Sequence, residues 1–149
     1  MKIPSLLPGV AGEYFVAAEL SRRGHIASIS LRNTRGIDIL ATNRKASRSI
    51  TIQCKTNQLN RKVWMLNDKS EDFVSDAHYY VFVALGDALV GPCYHIVPSH
   101  DVAVQTRNSH REWLGRLGRG GRQHIDNPVR KFADPDDKYL ERWDLLGLG

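Results

Sequence analysis

Glu13, Asp38, Gln53 and Lys55 are the residues of this chain whose types and spacing could do chemistry together. Gln53 and Lys55 stand two apart in an alternating run, so their side chains leave one face of a strand side by side. Glu13 has Gly9, Val10, Val16 and Ala17 as its neighbours at helical spacing. A carboxylate in such a stripe is costly to bury unless something cationic meets it. Asp38 follows the glycine turn at Gly36 and lies between Ile37 and Ile39, facing opposite to both. Two carboxylates, an amide oxygen and an ammonium are the parts of a hard divalent-cation site, since Mg²⁺ takes oxygen ligands and keeps several waters. The Cys54 carbonyl lies within reach of the same site. A cation there, with Lys55 to hold or deprotonate a water, suits hydrolysis of a phosphodiester.

Each residue also has a plainer reading. Glu13 is a first-turn acid of the kind a helix dipole favours. Asp38 alone reads as a solvated strand residue, and Gln53 with Lys55 as the polar face of an amphipathic strand. Glu19, by contrast, has Arg22 and Arg23 at helical spacing and reads as an ion-paired surface residue. The chemical reading therefore rests on convergence of the four side chains, which the intervening elements must bring about.

Those elements follow from periodicity and punctuation. Residues 9–23 read as a helix stopped by Gly24. Residues 25–31 and 37–42 read as strands separated by the turn Asn33-Thr34-Arg35-Gly36, and residues 43–48 as a hairpin connection. Residues 49–56 alternate cleanly, with Ile50, Ile52 and Cys54 on one side and Thr51, Gln53 and Lys55 on the other. Residues 64–66 suggest a short strand or an extended crossing, 70–76 a short helix, 79–85 a strand covered on both faces, and 94–97 another strand. Ser99 is expected to cap a helix through about Thr106. Asp134-Pro135-Asp136-Asp137 reads as the start of a C-terminal helix over about 135–146. The predicted order is αβββαββαα, an α/β fold with a mixed sheet flanked by helices.

The 149 residues are expected to form one domain, with apolar and charged fractions of 42% and 25%. No apolar run is long enough to span a membrane, and the first ten residues lack a signal-peptide core, so a cytoplasmic address is expected. Cys54 and Cys93 are expected to be buried thiols. The six histidines show no zinc-binding spacing.

The stretches GEYFVAAEL, GIDIL and ITIQCK, and more loosely YYVFVAL and YHIVPS, resemble the PD-(D/E)xK nuclease superfamily, in the order found in its Holliday-junction resolvase-like branch. The resemblance covers roughly the first 100 residues and implies a restriction-endonuclease-like fold. It further implies metal-binding roles for Glu13 and Asp38, Gln53 at the family's second acidic position, Cys54 contributing through its backbone, and Lys55 as catalytic lysine. Mg²⁺ is the implied cofactor, Mn²⁺ the expected substitute, DNA the substrate, and products carrying 5′-phosphates the outcome. The chain departs from the pattern in carrying glutamine at position 53, which makes it a QxK variant, and Ile37 where the family's proline stands.

Residues 107–131 hold seven cationic and two acidic residues, an excess of five that equals the formal charge of the whole chain, +5. With the RLGRGGR glycines this stretch reads as a flexible basic loop. Arg111, Arg116, Arg119, Arg122 and Lys131, with Arg35 in the turn before Asp38, are the expected phosphate-contacting residues. Trp113 reads as an anchor for that loop or as a platform for a base. A nuclease this small must borrow surface to hold a duplex, so a homodimer is expected. The alternatives are a catalytically inactive nucleic-acid-binding module that retains the fold, and a structural or interaction protein whose basic loop meets an acidic partner.

Overall fold

Proline at the start of a helix forfeits no hydrogen bond, and Pro8 opens helix α1 (Leu7–Arg22) in the computed structural model, which describes residues 3–31 and 35–149. Pro8, Gly12, Val16 and Leu20 are its buried residues, one per turn along a single stripe. Met1, Lys2, Arg32 and the Asn33-Thr34 part of the predicted turn lie outside the described residues.

Among the described residues, five strands form the main sheet: β1 (Ile26–Ile29), β2 (Ile39–Thr42), β3 (Ser49–Asn57), β5 (His78–Ala84) and β6 (Cys93–Pro98). They lie in the order β1-β2-β3-β5-β6. The β3–β5 pair is parallel and the rest antiparallel, which is the expected mixed sheet. A two-stranded ribbon joins β4 (Val63–Asn67) to β7 (Val129–Ala133). Helix α2 (Ser99–Gly115) packs on that ribbon.

Strand β5 is buried at every residue and divides the core. Tyr79, Val81 and Val83 join Ile39, Ile50, Ile52, Val16 and Leu20 beneath α1. Tyr80 and Phe82 meet Trp64, Leu66, Val102 and Phe132 on the opposite face. Phe82 stacks on Phe132 at 4.4 Å, which fastens the ribbon to the sheet.

Several expected elements differ. The C-terminal helix over 135–146 does not form. The Asp134 carboxylate accepts the N–H groups of Lys138 and Tyr139 at 2.9 Å and pairs with buried His95 at 2.6 Å. Asp137 and Glu141 take positive φ, and the backbone bonds to β6 instead, Ile96 N–H to Tyr139 C=O at 3.0 Å and Glu141 N–H to Tyr94 C=O at 2.8 Å. The stripe of Tyr139, Trp143 and Leu146 is buried all the same.

The basic loop is also shorter than expected. Helix α2 continues through Arg107 and Arg111, because Thr106, Ser109, His110 and Trp113 keep a packed inner face, and residues 129–133 form β7. Pro98, not Ser99, is the helix N-cap. The Ser99 hydroxyl bonds Ser75 instead, accepting its N–H at 3.0 Å and donating to its C=O at 2.8 Å. The short helix expected over 70–76 is a single 3-10 turn at Asp68–Glu71, capped by Asn67. The observed order is αββββββαβ.

Candidate active site

Strand β3 outruns its partner. Its ladder with β2 ends at Ile39 opposite Ile52, while β3 continues to Asn57 against β5 alone. Asp38 occupies the place where β2 gives out. Its N–H donates to the Ile52 carbonyl at 2.8 Å, its own carbonyl accepts from Ser30 at 2.8 Å, and its Oδ2 accepts the Cys54 N–H at 2.7 Å. The carboxylate thus replaces a missing strand and is held beside Gln53-Cys54-Lys55. In a strand the N–H and C=O of one residue leave on the same side, so the Cys54 carbonyl faces the same gap.

Gln53 and Lys55 stand in register with Tyr80 and Phe82 of β5 and share their face. Both line a cleft of about 490 Å³, together with Arg35, Gly36, Lys69, Phe73 and Tyr80. Gly36 has φ 60°, and a β-carbon there would lie 3.0 Å from the Phe73 ring and 3.8 Å from Gln53 Oε1. Only glycine takes that turn without penalty while leaving this mouth open.

Glu13 reaches the region from the other side of β3. Gly12 lies against Thr56, so the half-buried Glu13 rides at the height of the strand. The Cys54 thiol registers the surrounding charges. Burial pushes it well above its ordinary value, the Asp38 and Glu13 carboxylates push it further, and Lys55 opposes them. All three charged groups therefore lie within electrostatic reach of one residue. Burial likewise holds the Asp38 carboxyl above the ordinary 3.8, partly offset by the Cys54 N–H and by Lys55.

The donor set suits a hard cation. It comprises two carboxylates, one of them raised by burial and so relieved by positive charge, and an amide oxygen. The raised Cys54 thiol keeps its proton, which leaves that residue only its carbonyl to offer. Among the described residues, no three His, Cys, Asp or Glu side chains gather into a metal cluster.

Of the expected phosphate contacts, only Arg35 lines the cleft. Arg111, Arg116, Arg119 and Arg122 are exposed at the end of α2 and on the loop after it, Arg116 pairing with Glu112 at 3.4 Å. Lys131 lines a separate recess of about 210 Å³ with His110 and Trp113. Trp113 stacks on His110 and, at 4.1 Å, on His124, which anchors the loop. Two cations of the basic stretch serve the fold: Arg107 bonds the Glu71 carbonyl at 2.9 Å, and Arg130 pairs with the Glu71 carboxylate at 2.5 Å. Sequence reasoning missed Lys69, Phe73 and Tyr80 as cleft residues. Their signal lay in Asn67-Asp68-Lys69-Ser70, a turn that returns the chain over the polar face of β3.

No protein-family model matches the chain, and no curated protein matches its sequence. Among solved structures it is similar to a bacterial homing endonuclease at 12% identity and a TM-score of 0.54, over 99% of this chain and 95% of that one. It also matches a Holliday junction resolvase from the archaeal hyperthermophile Archaeoglobus fulgidus at 16% identity and a TM-score of 0.49, over 85% of this chain and 84% of the other. At such identities a likeness speaks for the fold, and the first shows that this mixed sheet flanked by helices is one a nuclease uses.

Proposed function

We propose that this protein is a Mg²⁺-dependent nuclease of the restriction-endonuclease-like kind that hydrolyses DNA phosphodiester bonds, with Mn²⁺ able to substitute. The observation that carries the reading is the Asp38 carboxylate seated on the Cys54 N–H, which binds the start of β2 to the Gln53-Cys54-Lys55 segment. Glu13, Asp38, Gln53 and the Cys54 carbonyl would hold the cation. When bound, Mg²⁺ supplies Lewis acidity, lowering the pKa of a water and neutralising charge on the phosphate. The chain's own residues do the rest. Asp38 is fixed by three hydrogen bonds through its backbone and carboxylate, so this one ligand would meet a cation without rearrangement. Lys55 holds a water by its ammonium and offsets charge developing on the phosphate. Arg35, at the mouth, meets the flanking backbone, and the exposed arginines after α2 add affinity without sequence preference.

The test is a panel of labelled DNA structures incubated with Mn²⁺ or Mg²⁺. Wild type is expected to cut at least one of them, Asp38→Ala none, and Lys55→Ala to bind DNA without cutting. Cleavage retained in Lys55→Ala would remove that residue from its role. A second reading, a binding module that keeps the fold without activity, draws support from Gln53 and from the absence of a three-acid cluster among the described residues. Calorimetry separates the two: no saturable Mg²⁺ binding, or binding untouched by Asp38→Ala, favours the module. The same DNA mixtures read by sedimentation test the expected homodimer.

A further inference from the structure

The cleft beside Gln53 and Lys55 holds more than a cation and a water require. Its volume is about 490 Å³, in the range of small-molecule sites rather than ion sites. Its wall is Phe73, an aromatic ring left 41% exposed. The ring does not hang loose: it lies against Gly36 and packs on buried His78 at 4.4 Å, and the Phe73 N–H donates to the Lys69 carbonyl at 3.0 Å. The ring is therefore held by Gly36 and His78 and lines the cleft with part of its surface still exposed. Tyr80 forms the floor, stacked on Phe82 at 5.6 Å, and burial raises its phenol to about 12, so it stays a hydrogen-bond donor at neutral pH. Asp72 adds an acceptor, and the Gln53 amide, whose oxygen faces the cation in the reading above, adds its N–H donors. Arg35, Lys55 and Lys69 supply the cations among the lining residues.

We propose that this cleft receives a single unstacked nucleobase of the nucleotide next to the scissile phosphate, stacked on Phe73 and met by Tyr80, Gln53 and Asp72. The inference rests on the nuclease reading above and names its substrate class: DNA with an unpaired or readily extruded nucleotide at the cut. An aromatic face with donors and acceptors suits a planar neutral ring. A phosphate seated inside would face the Asp72 carboxylate, whereas the backbone on either side of the base can meet Arg35, Lys55 and Lys69.

The experiment is fluorescence anisotropy in EDTA, where no cleavage occurs, on a labelled duplex with one unpaired nucleotide and on its fully paired counterpart. Wild type is expected to bind the unpaired form roughly tenfold tighter, on the scale of one base stacked on one aromatic ring. Phe73→Ala is expected to lose that preference while retaining the paired-duplex affinity. Phe73→Leu, which keeps apolar contact with Gly36 and His78 but offers no stacking face, should lose it as well. Equal affinity of wild type for the two duplexes, or a preference that survives in Phe73→Leu, overturns the proposal. Because binding in EDTA needs no catalysis, an inactive protein leaves this measurement intact. An active enzyme that cuts paired DNA just as readily sinks the nucleobase site alone.

Discussion

Gly12 lies so close to Thr56 that a β-carbon added to it would sit 1.9 Å from the Thr56 hydroxyl oxygen. This contact sets the height of α1 over β3 and so the approach of Glu13 to the Asp38–Cys54 junction. Gly9, one turn earlier on the same helix, has no such neighbour within 4 Å.

The pair yields opposite outcomes from one substitution. Gly12→Ala should destabilise the fold by at least the ~1–3 kcal/mol of an overpacked core, and part of that loss should return in a Thr56→Ala background. Gly9→Ala should stabilise it by about 0.5–1 kcal/mol, since alanine costs less backbone entropy in a helix. Urea melts of wild type, the three single variants and the Gly12→Ala/Thr56→Ala double variant decide the matter. Equal stabilities for Gly12→Ala and Gly9→Ala would show that α1 is not seated on Thr56.

Asp38 gives a pH-dependent prediction. Burial raises its carboxyl above the ordinary 3.8, so the folded state favours the protonated form. Its favourable contribution is complete below 3.8 and is lost as pH rises through the folded value, which leaves the ionised group a cost at neutral pH. Asp38→Asn keeps an acceptor for the Cys54 N–H without that charge. It should melt higher than wild type at pH 7 in EDTA, and the gap should narrow as pH falls towards 3.8. Mg²⁺ should raise the melting temperature of wild type but not of Asp38→Asn. Thermal melts with and without Mg²⁺ are the check, and an Asp38→Asn protein still stabilised by Mg²⁺ would move the cation elsewhere.

The parts of this fold legible in the sequence are those whose periodicity and packing agree. Strand β3 was readable because Ile50, Ile52 and Cys54 face the α1 side while Gln53 and Lys55 face the cleft. Strand β5 was readable because both its faces are covered. Strand β7 was hidden because its inward residues are Arg130 and Phe132, and a buried arginine matched to Glu71 looks like surface charge in a linear reading. The C-terminal segment misled because an Asp-Pro start and an apolar stripe serve equally well for a chain pinned by Asp134 and His95. Within the site, Asp38 and Gln53-Cys54-Lys55 were visible as types and spacing. The bond joining them, and the Phe73 wall, depend on where β2 ends, which no local pattern records.

The basic stretch splits into two populations that substitution should distinguish. Arg130 is only 8% exposed, and its pair with Glu71 ties β7 to the turn after β4, so Arg130→Ala should cost about 3–5 kcal/mol by stranding a carboxylate. Replacing Arg116, Arg119 and Arg122 together should leave stability nearly unchanged, because the one ion pair among them is solvent-exposed. The same triple replacement should flatten the salt dependence of DNA binding by up to roughly three contacts' worth. Denaturant melts read the first effect and anisotropy titrations at several salt concentrations the second. An unchanged salt slope would leave the loop without a nucleic-acid role.

Gln53→Glu should separate the demands of the fold from those of the cation. A carboxylate at 53 would stand on the strand segment that holds Asp38, whose carboxyl burial already raises, and like charges that close repel. Without divalent ions the variant should therefore be less stable than wild type. With a cation bound the sign reverses, because a third negative oxygen replaces a neutral one. Attraction between unit charges ~4 Å apart amounts to about 4 kcal/mol at an effective dielectric constant near 20. Dehydration of the new carboxylate consumes much of that, so a gain on the order of tenfold in Mg²⁺ affinity is expected. Calorimetry gives the affinity, and melts in EDTA and in Mg²⁺ give the two signs. A variant that binds Mg²⁺ no more tightly than wild type would mean that the side chain at 53 does not face the ion, and the donor set would reduce to Glu13, Asp38 and the Cys54 carbonyl.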